Sequence, residues 1–398
     1  MIARNPINNM ARCIFKAALV AIVLSLSLTA TAMKSLDDEQ LSEVTGQALF
    51  VSDYVNGVGT NDGNPFNEFG FYRMGLDVEL AMNANIDKLA LGCGGVNNNL
   101  AGAPNCDIDF DYVRFMGRNG SAPGSPVTSD FTLTRPFVEL AVKNDDTKTL
   151  REIAGIKIGS QKADGFVSIG RRYANGQINQ EHGGTCGSGA NAINCHSGIN
   201  SLSGSLGIEM SASVPIRIQI GVELPFIGCI PPACLRFNEI ACFGNTAATN
   251  DSCTASDRFD TQIRGTRMTA VGLQDVELEL DGGLLSTIGL DTAYADISES
   301  LRFIHGFALQ DTSDFGLSFQ RERVSYPTFN QSGYSDAANT GWWMNVPDVK
   351  VLNIQGAEVA FVNDLGSVVS ALGEGVNLTN IELNQTPAVN CYGSNRFC

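Results

Sequence analysis

The stretch that decides the fold is residues 206–224, LGIEMSASVPIRIQIGVEL, in which an apolar residue stands at every second position. Side chains of a β-strand point alternately to opposite faces, so this period of two predicts one long strand with an apolar face. Pro215 predicts a bulge or an edge position within it. Residues 76–87 and 276–280 alternate in the same way. Together these patterns predict an all-β protein, built as an extended sheet, a sandwich or a groove of long amphipathic strands.

The composition agrees with this fold class. Gly contributes 42 of 398 residues and charged residues make up only 17% of the chain, whereas soluble proteins average about 25% charged residues. Both values favour β structure with many turns over helical bundles. The chain carries 42 acidic and 26 basic residues, a net charge of −16. Because no basic patch is available to neutralise phosphates, we expect no nucleic-acid partner.

The N-terminus predicts export. Arg4, Arg12 and Lys16 precede the apolar stretch AALVAIVLSLSLTA, and residues 30–32 form an A-x-A cleavage site. Residues 1–32 therefore predict a secretory signal peptide, with an apolar core too short for a transmembrane helix. An uncleaved anchor is the alternative. Cleavage removes three basic residues and leaves 23 basic against 42 acidic residues, a net charge of −19.

Behind the signal, residues 33–47 predict a short N-terminal helix that begins after Ser35 as N-cap and ends at Gly46. Residues 48–398 are predicted to form a β-rich body. An alternative is that this body consists of two sub-domains with a boundary in the Cys-rich region 228–262. A second helix is predicted at residues 361–373, where the apolar residues have helical spacing. Further strands are predicted at 108–116, 131–143, 153–160, 165–170, 301–310, 315–320, 348–353 and 378–384.

Ten cysteines remain after the signal, and they stand as near neighbours around loops rich in Gly and Asn. In an exported protein an even number of cysteines predicts disulfides, which here would staple loops. One cluster of four cysteines allows three connectivities, of which sequence order favours the two most local bridges. The predicted bridges are Cys93–Cys106, Cys186–Cys195, Cys391–Cys398 and, from that cluster, Cys229–Cys234 with Cys242–Cys253.

Three acidic residues form the candidate metal site. Asp107, Asp109 and Asp111 alternate with apolar residues, so on a strand their carboxylates project from one face. Oxygen ligands of this kind could gather a calcium ion. The alternative, which we favour, is a solvated acidic face.

The histidines and cysteines of one loop allow a second metal interpretation. His182, Cys186, Cys195 and His196 have the composition of a zinc site, but the spacing is not that of a zinc finger and an oxidising compartment removes the thiolates. We therefore favour the disulfide. His305 is interpreted as a satisfied wall residue.

Motifs for catalysis are missing from the sequence. It contains three histidines and no nucleophile elbow, phosphate loop or zinc-protease motif. We expect no enzymatic activity and no cofactor. Trp342 and Trp343 are interpreted as a buried anchor rather than as an exposed binding patch.

Six stretches carry a family resemblance: LDDEQLSEVTGQALF (36–50), FYRMGLDVELAMNANIDKLALGCGG (71–95), CDIDFDYV (106–113), RPFVELAVKN (135–144), GINSLSG (198–204) and GWWMNVPDVKV (341–351). They resemble the pilus-system (Fil-type) exported proteins of Gram-negative bacteria, which are encoded among genes proposed for surface-filament assembly. The resemblance spans most of the chain behind the signal. It implies a surface or pilus-associated role, with no catalytic residues to transfer.

The expected function is that of a non-enzymatic structural or adhesive protein of the cell envelope, associated with a pilus or surface filament. Its expected partners are other envelope or pilus-assembly proteins, at the outer membrane, the cell surface or in the periplasm. The alternative is a binder or carrier of hydrophobic small molecules such as lipids or alkanes, including a β-barrel form. That alternative depends on the long apolar strand faces, which could line a groove.

Overall fold

The computed structural model describes residues 49–57, 69–100, 105–118, 129–221, 234–243, 259–280, 292–330, 333–355, 359–362, 376–379 and 385–390. The described strands all belong to one compact unit, Phe50–Cys398. The expected signal peptide (1–32), the helix at 33–47 and the cysteines Cys229, Cys253, Cys391 and Cys398 lie outside the described residues.

Strands dominate the described residues, which confirms the all-β prediction. Short 3-10 helices cover Val96–Asn99, Gly189–Cys195 and Leu301–Phe303. The strands are β1 (Phe50–Asn56), β2 (Phe69–Leu76), β3 (Glu79–Met82), β4 (Ala84–Leu91), β5 (Ile108–Met116), β6 (Phe131–Lys143), β7 (Glu152–Ile169), β8 (Arg171–Arg172), β9 (His196–Ser197), β10 (Ile199–Gly221), β11 (Cys234–Phe243), β12 (Phe259–Met268), β13 (Ala270–Leu280), β14 (Thr292–Ser300), β15 (Gly306–Ser313), β16 (Gly316–Gln320), β17 (Gly341–Gln355), β18 (Val359–Val362) and β19 (Val376–Thr379).

The long alternating segment forms β10, the longest strand described, with 23 residues. Pro215 lies inside it, where the parallel partner of β10 changes from β17 to β18. β5 and β6 have the predicted bounds, whereas the strands predicted at 153–160 and 165–170 are one continuous strand, β7.

Other predicted elements also differ from the structure. The alternation at 76–87 is divided among β2, β3 and β4, because β3 pairs with β6 while β4 pairs with β5 and the chain must change partner. The strand predicted at 301–310 begins as a 3-10 helix, Leu301–Phe303, and β15 starts only at Gly306. Residues 361 and 362 of the predicted helix belong to β18, and its remaining residues lie outside the described chain.

Five strand positions close a ring around the main core. β5 pairs with β7 and β10, β10 pairs with β17, and β15 with β16 bridges from β17 back to β7. Buried apolar side chains from β5, β7, β10, β15 and β17 form this core. Examples are Phe110, Val167, Leu206, Leu309 and Val346. β16 adds the half-buried Leu317.

A second layer of strands extends from this ring. β1, β2, β6, the first half of β7, β16 and the start of β17 lie side by side in register, and we call them the six-stranded layer. Residues 321–330 and 333–340, which we call the covering segment, cover one of its faces. A smaller core forms between them and includes Phe71, Ala141, Tyr326 and Trp343.

Two of the predicted disulfides are confirmed, Cys93–Cys106 and Cys186–Cys195. Because disulfides persist in oxidising compartments, they indicate an extracytoplasmic location. Cys234 and Cys242 lie on β11, and their bridges stay predictions. No helix within the described ranges is long and apolar enough to cross a membrane.

Candidate functional site

The first of the three predicted acidic residues forms a buried ion pair. Asp107 directly precedes β5, and its Oδ1 lies 2.9 Å from Nε of Arg267, with both side chains 1% exposed. The carboxylate also accepts hydrogen bonds from Nδ2 of Asn97 at 2.9 Å and from the backbone N–H of Trp342 at 3.0 Å. Asp107 therefore ties three separate segments of the chain together.

The other two carboxylates share a set of polar partners. Lys88 forms ion pairs with Asp109 and Asp111. Nδ2 of Asn200 donates to both carboxylates, at 2.9 and 2.8 Å, and Nε2 of His182 lies 3.2 Å from Asp111. Burial raises the pKa of Asp111, but the hydrogen bonds from His182, Lys88 and Asn200 outweigh it and hold that pKa well below its usual value.

The expectation of a solvated acidic face is wrong for Asp107 and Asp111, which are buried. The physical reason is that β5 is paired with β4 on one side and with β10 on the other at these residues, and that His182, four residues before Cys186, covers Asp111. Within the described ranges no three His, Cys, Asp or Glu side chains are grouped to hold a metal ion.

The zinc interpretation of the 182–196 loop is excluded by its chemistry. The sulfurs of Cys186 and Cys195 are bonded to each other, so neither is available as a thiolate ligand. His196 instead lies beside His305, with Nδ1 of the former 2.6 Å from Nε2 of the latter.

Both of these histidines are buried, and the hydrogen bonds fix their roles. Nδ1 of His305 lies 2.8 Å from the carbonyl oxygen of Ile169, which can only accept. Nε2 of a neutral His305 then accepts from Nδ1–H of His196. Burial lowers the pKa of His196 to about 3 and that of His305 to about 4. His305 is thus a satisfied wall residue, as predicted.

The six-stranded layer buries a row of charges on its covered face. Arg73, Glu139 and Lys157 lie directly opposite one another on β2, β6 and β7, and each is at most 3% exposed. Nη2 of Arg73 lies 2.9 Å from Oε1 of Glu139. Among the described residues Nζ of Lys157 has no hydrogen-bond partner, and it lies 5.6 Å from the ring centres of Phe137 and Tyr326.

Arg73 also fastens the segment that covers the row. Its guanidinium donates to the carbonyl oxygens of Phe329 at 3.0 Å and of Pro327 at 3.1 Å. Burial raises the pKa of Glu139, although Lys157 and Arg73 oppose this, and burial lowers the pKa of Lys157. The buried guanidinium of Arg73 thus holds the covering segment in place.

The opposite face of the same layer is apolar and open to solvent. Two cross-strand rows form it, and we call these twelve residues the apolar face. They contain no charged residue. The rows are Ser52–Met74–Val138–Ile158–Leu317–Met344 and Tyr54–Tyr72–Leu140–Ile156–Phe319–Trp342.

Several side chains of the apolar face are strongly exposed to solvent. Ile158 is 58% exposed, Met74 57% and Val138 38%. Six strands at their usual spacing span about 24 Å. Scattered apolar residues on a surface are ordinary, whereas a contiguous apolar patch of a few hundred Å² marks an interaction site. The apolar face is therefore the candidate functional site.

The apolar face continues into the main core at one side. Leu317, Trp342 and Met344 are half-buried and pack against the core cluster. Beyond them lies an apolar cavity of about 40 Å³, lined among others by Phe110, Leu206 and Met344. Because ligand pockets usually measure about 300–1,000 Å³, this cavity is too small for a lipid.

The two neighbouring tryptophans have opposite environments. Trp343 is 1% exposed and belongs to the smaller core, so the predicted buried anchor is confirmed for it. Trp342 lies on the apolar face, with its ring centre 5.4 Å from that of Phe319.

Sequence reasoning did not find the apolar face. From the sequence alone, one expects a strand at residues 155–159 (GIKIG) with its two isoleucines buried and its lysine exposed. A usable signal was the pair of glycines beside Lys157, which leave room on the covered face. Gly316 on the adjacent strand has the same effect, since a Cβ there would meet Cε of Lys157 at 3.1 Å.

Fold and site together define an extracytoplasmic, disulfide-bonded all-β protein with an open apolar sheet face. Among known families, residues 12–49 match a family of unknown function (DUF6160). The match ends directly before β1. No curated protein and no solved structure matches the chain.

Proposed function

We propose that this chain is a non-enzymatic structural or adhesive protein of the cell envelope, which works by attaching to another apolar surface. The apolar face is the observation that supports this proposal. It is formed by side chains held in register on six paired strands, so it is rigid and preformed. A surface of this kind suits permanent attachment better than turnover of a substrate.

The resemblance to pilus-system proteins agrees with this role and supplies its setting. In that setting the protein is exported to the outer membrane or the cell surface, and its partners are other envelope or filament-assembly proteins. The buried ion pair of Arg73, which fastens the covering segment, favours a scaffold function, because it makes the layer behind the apolar face difficult to rearrange.

Cell fractionation with surface proteolysis tests the proposal. We expect the protein in the envelope fraction, accessible to protease on intact cells, and we expect deletion of its gene to reduce attachment or surface assembly. Complementation with Ile158→Lys should fail to restore attachment. The matched control is Ile178→Lys, because Ile178 is similarly exposed, at 62%, but lies between β8 and the Cys186–Cys195 bridge, outside the apolar face. A protein found only in the soluble periplasm, with extractable lipid, would overturn the proposal.

A second candidate is a binder of hydrophobic small molecules. The continuity of the apolar face with the core at Leu317 and Met344 favours it. Because the enclosed cavity is only about 40 Å³, a chain-like ligand would have to lie along the face itself. Mass spectrometry of the purified protein under conditions that retain ligands separates the two functions, since only a carrier should show a stoichiometric bound molecule.

A further inference from the structure

We propose that the apolar face is a homodimer interface, at which a second copy of this chain packs its own apolar face against the first. This inference rests on the proposed function, for which it names the partner. Two sheets that pack face to face lie about 10 Å apart with their strands rotated by roughly 30°. Six strands in register provide such a surface, and a two-fold axis lets the same patch serve both copies.

The charges around the apolar face are paired. Lys162 follows Ile158 by four residues on β7, and its Nζ is 3.6 Å from Oδ1 of Asp311. Arg321 follows Phe319 by two residues and pairs with Glu152. Each pair contributes one positive and one negative charge, so this border has no net charge.

The end of the apolar face nearest β1 is neutralised in the same way. Asp145 accepts hydrogen bonds from the hydroxyl groups of Tyr54 at 2.7 Å and Tyr72 at 2.8 Å, and Nε of Arg151 lies 3.0 Å from its Oδ1. The hydrogen bond to Asp145, with burial, raises the pKa of Tyr54 to about 12. The phenol therefore stays neutral, and this end adds no net charge either.

A neutral border matters because the whole chain carries a net charge of −16. Two acidic copies repel each other at most orientations. At the apolar face that repulsion is weak, because its border pairs carry no net charge, and a two-fold axis can place the cation of each border pair near the carboxylate of the other copy. An anionic lipid surface would be attracted only by unpaired basic residues, which these border pairs do not offer. The charge pattern thus favours a second copy over a membrane.

A dimer interface of standard size needs more surface than the apolar face alone. A standard interface buries about 800 Å² on each partner, which requires the apolar face together with its border of ion pairs. The interface then has an apolar centre and a polar rim, the usual anatomy of a specific contact. Ile158, Val138 and Met74 would supply the centre.

Sedimentation equilibrium of the full exported protein tests the dimer, with Ile158→Lys as the variant and Ile178→Lys as the matched control. We expect the wild type and the control to dimerise, and Ile158→Lys to raise the dimer dissociation constant by at least about tenfold. Because Ile158 is already exposed, the variant should fold, and an unchanged melting temperature and circular dichroism spectrum verify this. A wild type that stays monomeric, or a variant that dimerises equally well, would overturn the inference.

Two further arms distinguish the inference from the proposed function. In a flotation experiment with neutral phosphatidylcholine vesicles, we expect the wild type to stay at the bottom of the gradient, unbound. If the wild type instead floats with the vesicles and Ile158→Lys does not, the apolar face binds a lipid surface and not a second copy. The attachment assay of the preceding section is read in parallel. If the wild type is monomeric and Ile158→Lys loses attachment, the dimer inference is wrong and the adhesive function stands. If the wild type is a dimer and Ile158→Lys attaches normally, the adhesive function is wrong and the dimer stands.

Discussion

Lys157 and Ile158 are neighbours on β7, yet the lysine is 2% exposed and the isoleucine 58% exposed. The usual distribution of charge and apolar surface is thus reversed at this strand. Desolvating the lysine costs free energy, and exposing the isoleucine forgoes a burial that is worth about 1.5–3 kcal/mol. Both effects oppose folding of the isolated chain, which is why a partner that covers Ile158 explains the arrangement best.

The buried charge row leads to the first prediction. Glu139→Gln should lower the free energy of unfolding by about 3–5 kcal/mol, because the guanidinium of Arg73 would remain buried without its carboxylate. Glu152→Gln is the matched control: its pair with Arg321 is exposed and should contribute less than about 1 kcal/mol. Urea denaturation at neutral pH measures both. Equal losses in the two variants would contradict the assigned role of the row.

The His196–His305 pair predicts acid sensitivity. An unfolded histidine has a pKa of about 6.5, whereas burial depresses the folded values to about 3 and about 4. Below pH 6.5 the unfolded chain therefore binds more protons than the folded one. The stability from each neutral histidine is complete above pH 6.5 and is lost as the pH falls toward the folded values, by up to about 1.4 kcal/mol per pH unit.

Denaturation midpoints measured between pH 7 and 4.5 test this slope. The lowered pKa of Asp111 acts at more acidic pH. The raised pKa of Glu139 acts in the opposite direction to the histidines, because the folded chain then binds the extra proton, so a comparison with a variant is needed to isolate the histidine contribution. The double variant His196→Gln with His305→Gln should show a flatter profile than the wild type. A double variant with the same slope would assign the acid sensitivity to other groups.

The disulfides predict a local loss of order. Cys186→Ser with Cys195→Ser opens a bridge with a sequence separation of 9, which should lower stability by roughly 2–3 kcal/mol. Hydrogen exchange should rise in residues 186–195 and in the turn before them that carries His182, because Cys186 exchanges backbone hydrogen bonds with Gly176 and Gln177. Cys93→Ser with Cys106→Ser is the control, in which faster exchange should be confined to the neighbouring loop. Thiol labelling of the denatured, unreduced wild type should leave these cysteines unmodified.

The acidic trio predicts an absence of calcium binding. A calcium ion would have to displace the ammonium of Lys88 from Asp109 and Asp111, and the guanidinium of Arg267 from Asp107. Calorimetric titration should show no affinity stronger than about 1 mM, the weak limit of extracellular calcium modules. A saturating isotherm at lower concentration that Asp111→Asn abolishes would restore the calcium site.

Local patterns predicted the elements because their causes are local. The bounds of β5 and β6 follow from alternation, and the bridges Cys93–Cys106 and Cys186–Cys195 follow from short loops. The division of residues 76–87 did not follow, since the alternation is continuous and only the change of partner from β6 to β5 interrupts it.

Which face of a strand is buried depends on distant partners. Alternation shows that Lys157 and Ile158 point to opposite sides. The burial of the lysine, however, depends on Glu139, which lies opposite it on β6, and on the covering segment. The same applies to Asp107, whose partner Arg267 is 160 residues away in the chain. Pairings at such separations leave no trace in a single sequence.

β7 belongs to both parts of the molecule, and this sharing has a mechanical consequence. Its first half carries Ile156 and Ile158 on the apolar face, and its second half pairs with β5 and β15 in the closed ring. A pulling force applied at the apolar face therefore passes along one continuous strand into strands that are paired on both sides. Such strands cannot be peeled off singly, so many hydrogen bonds must shear together. Resistance to tension is thus a property of the topology itself.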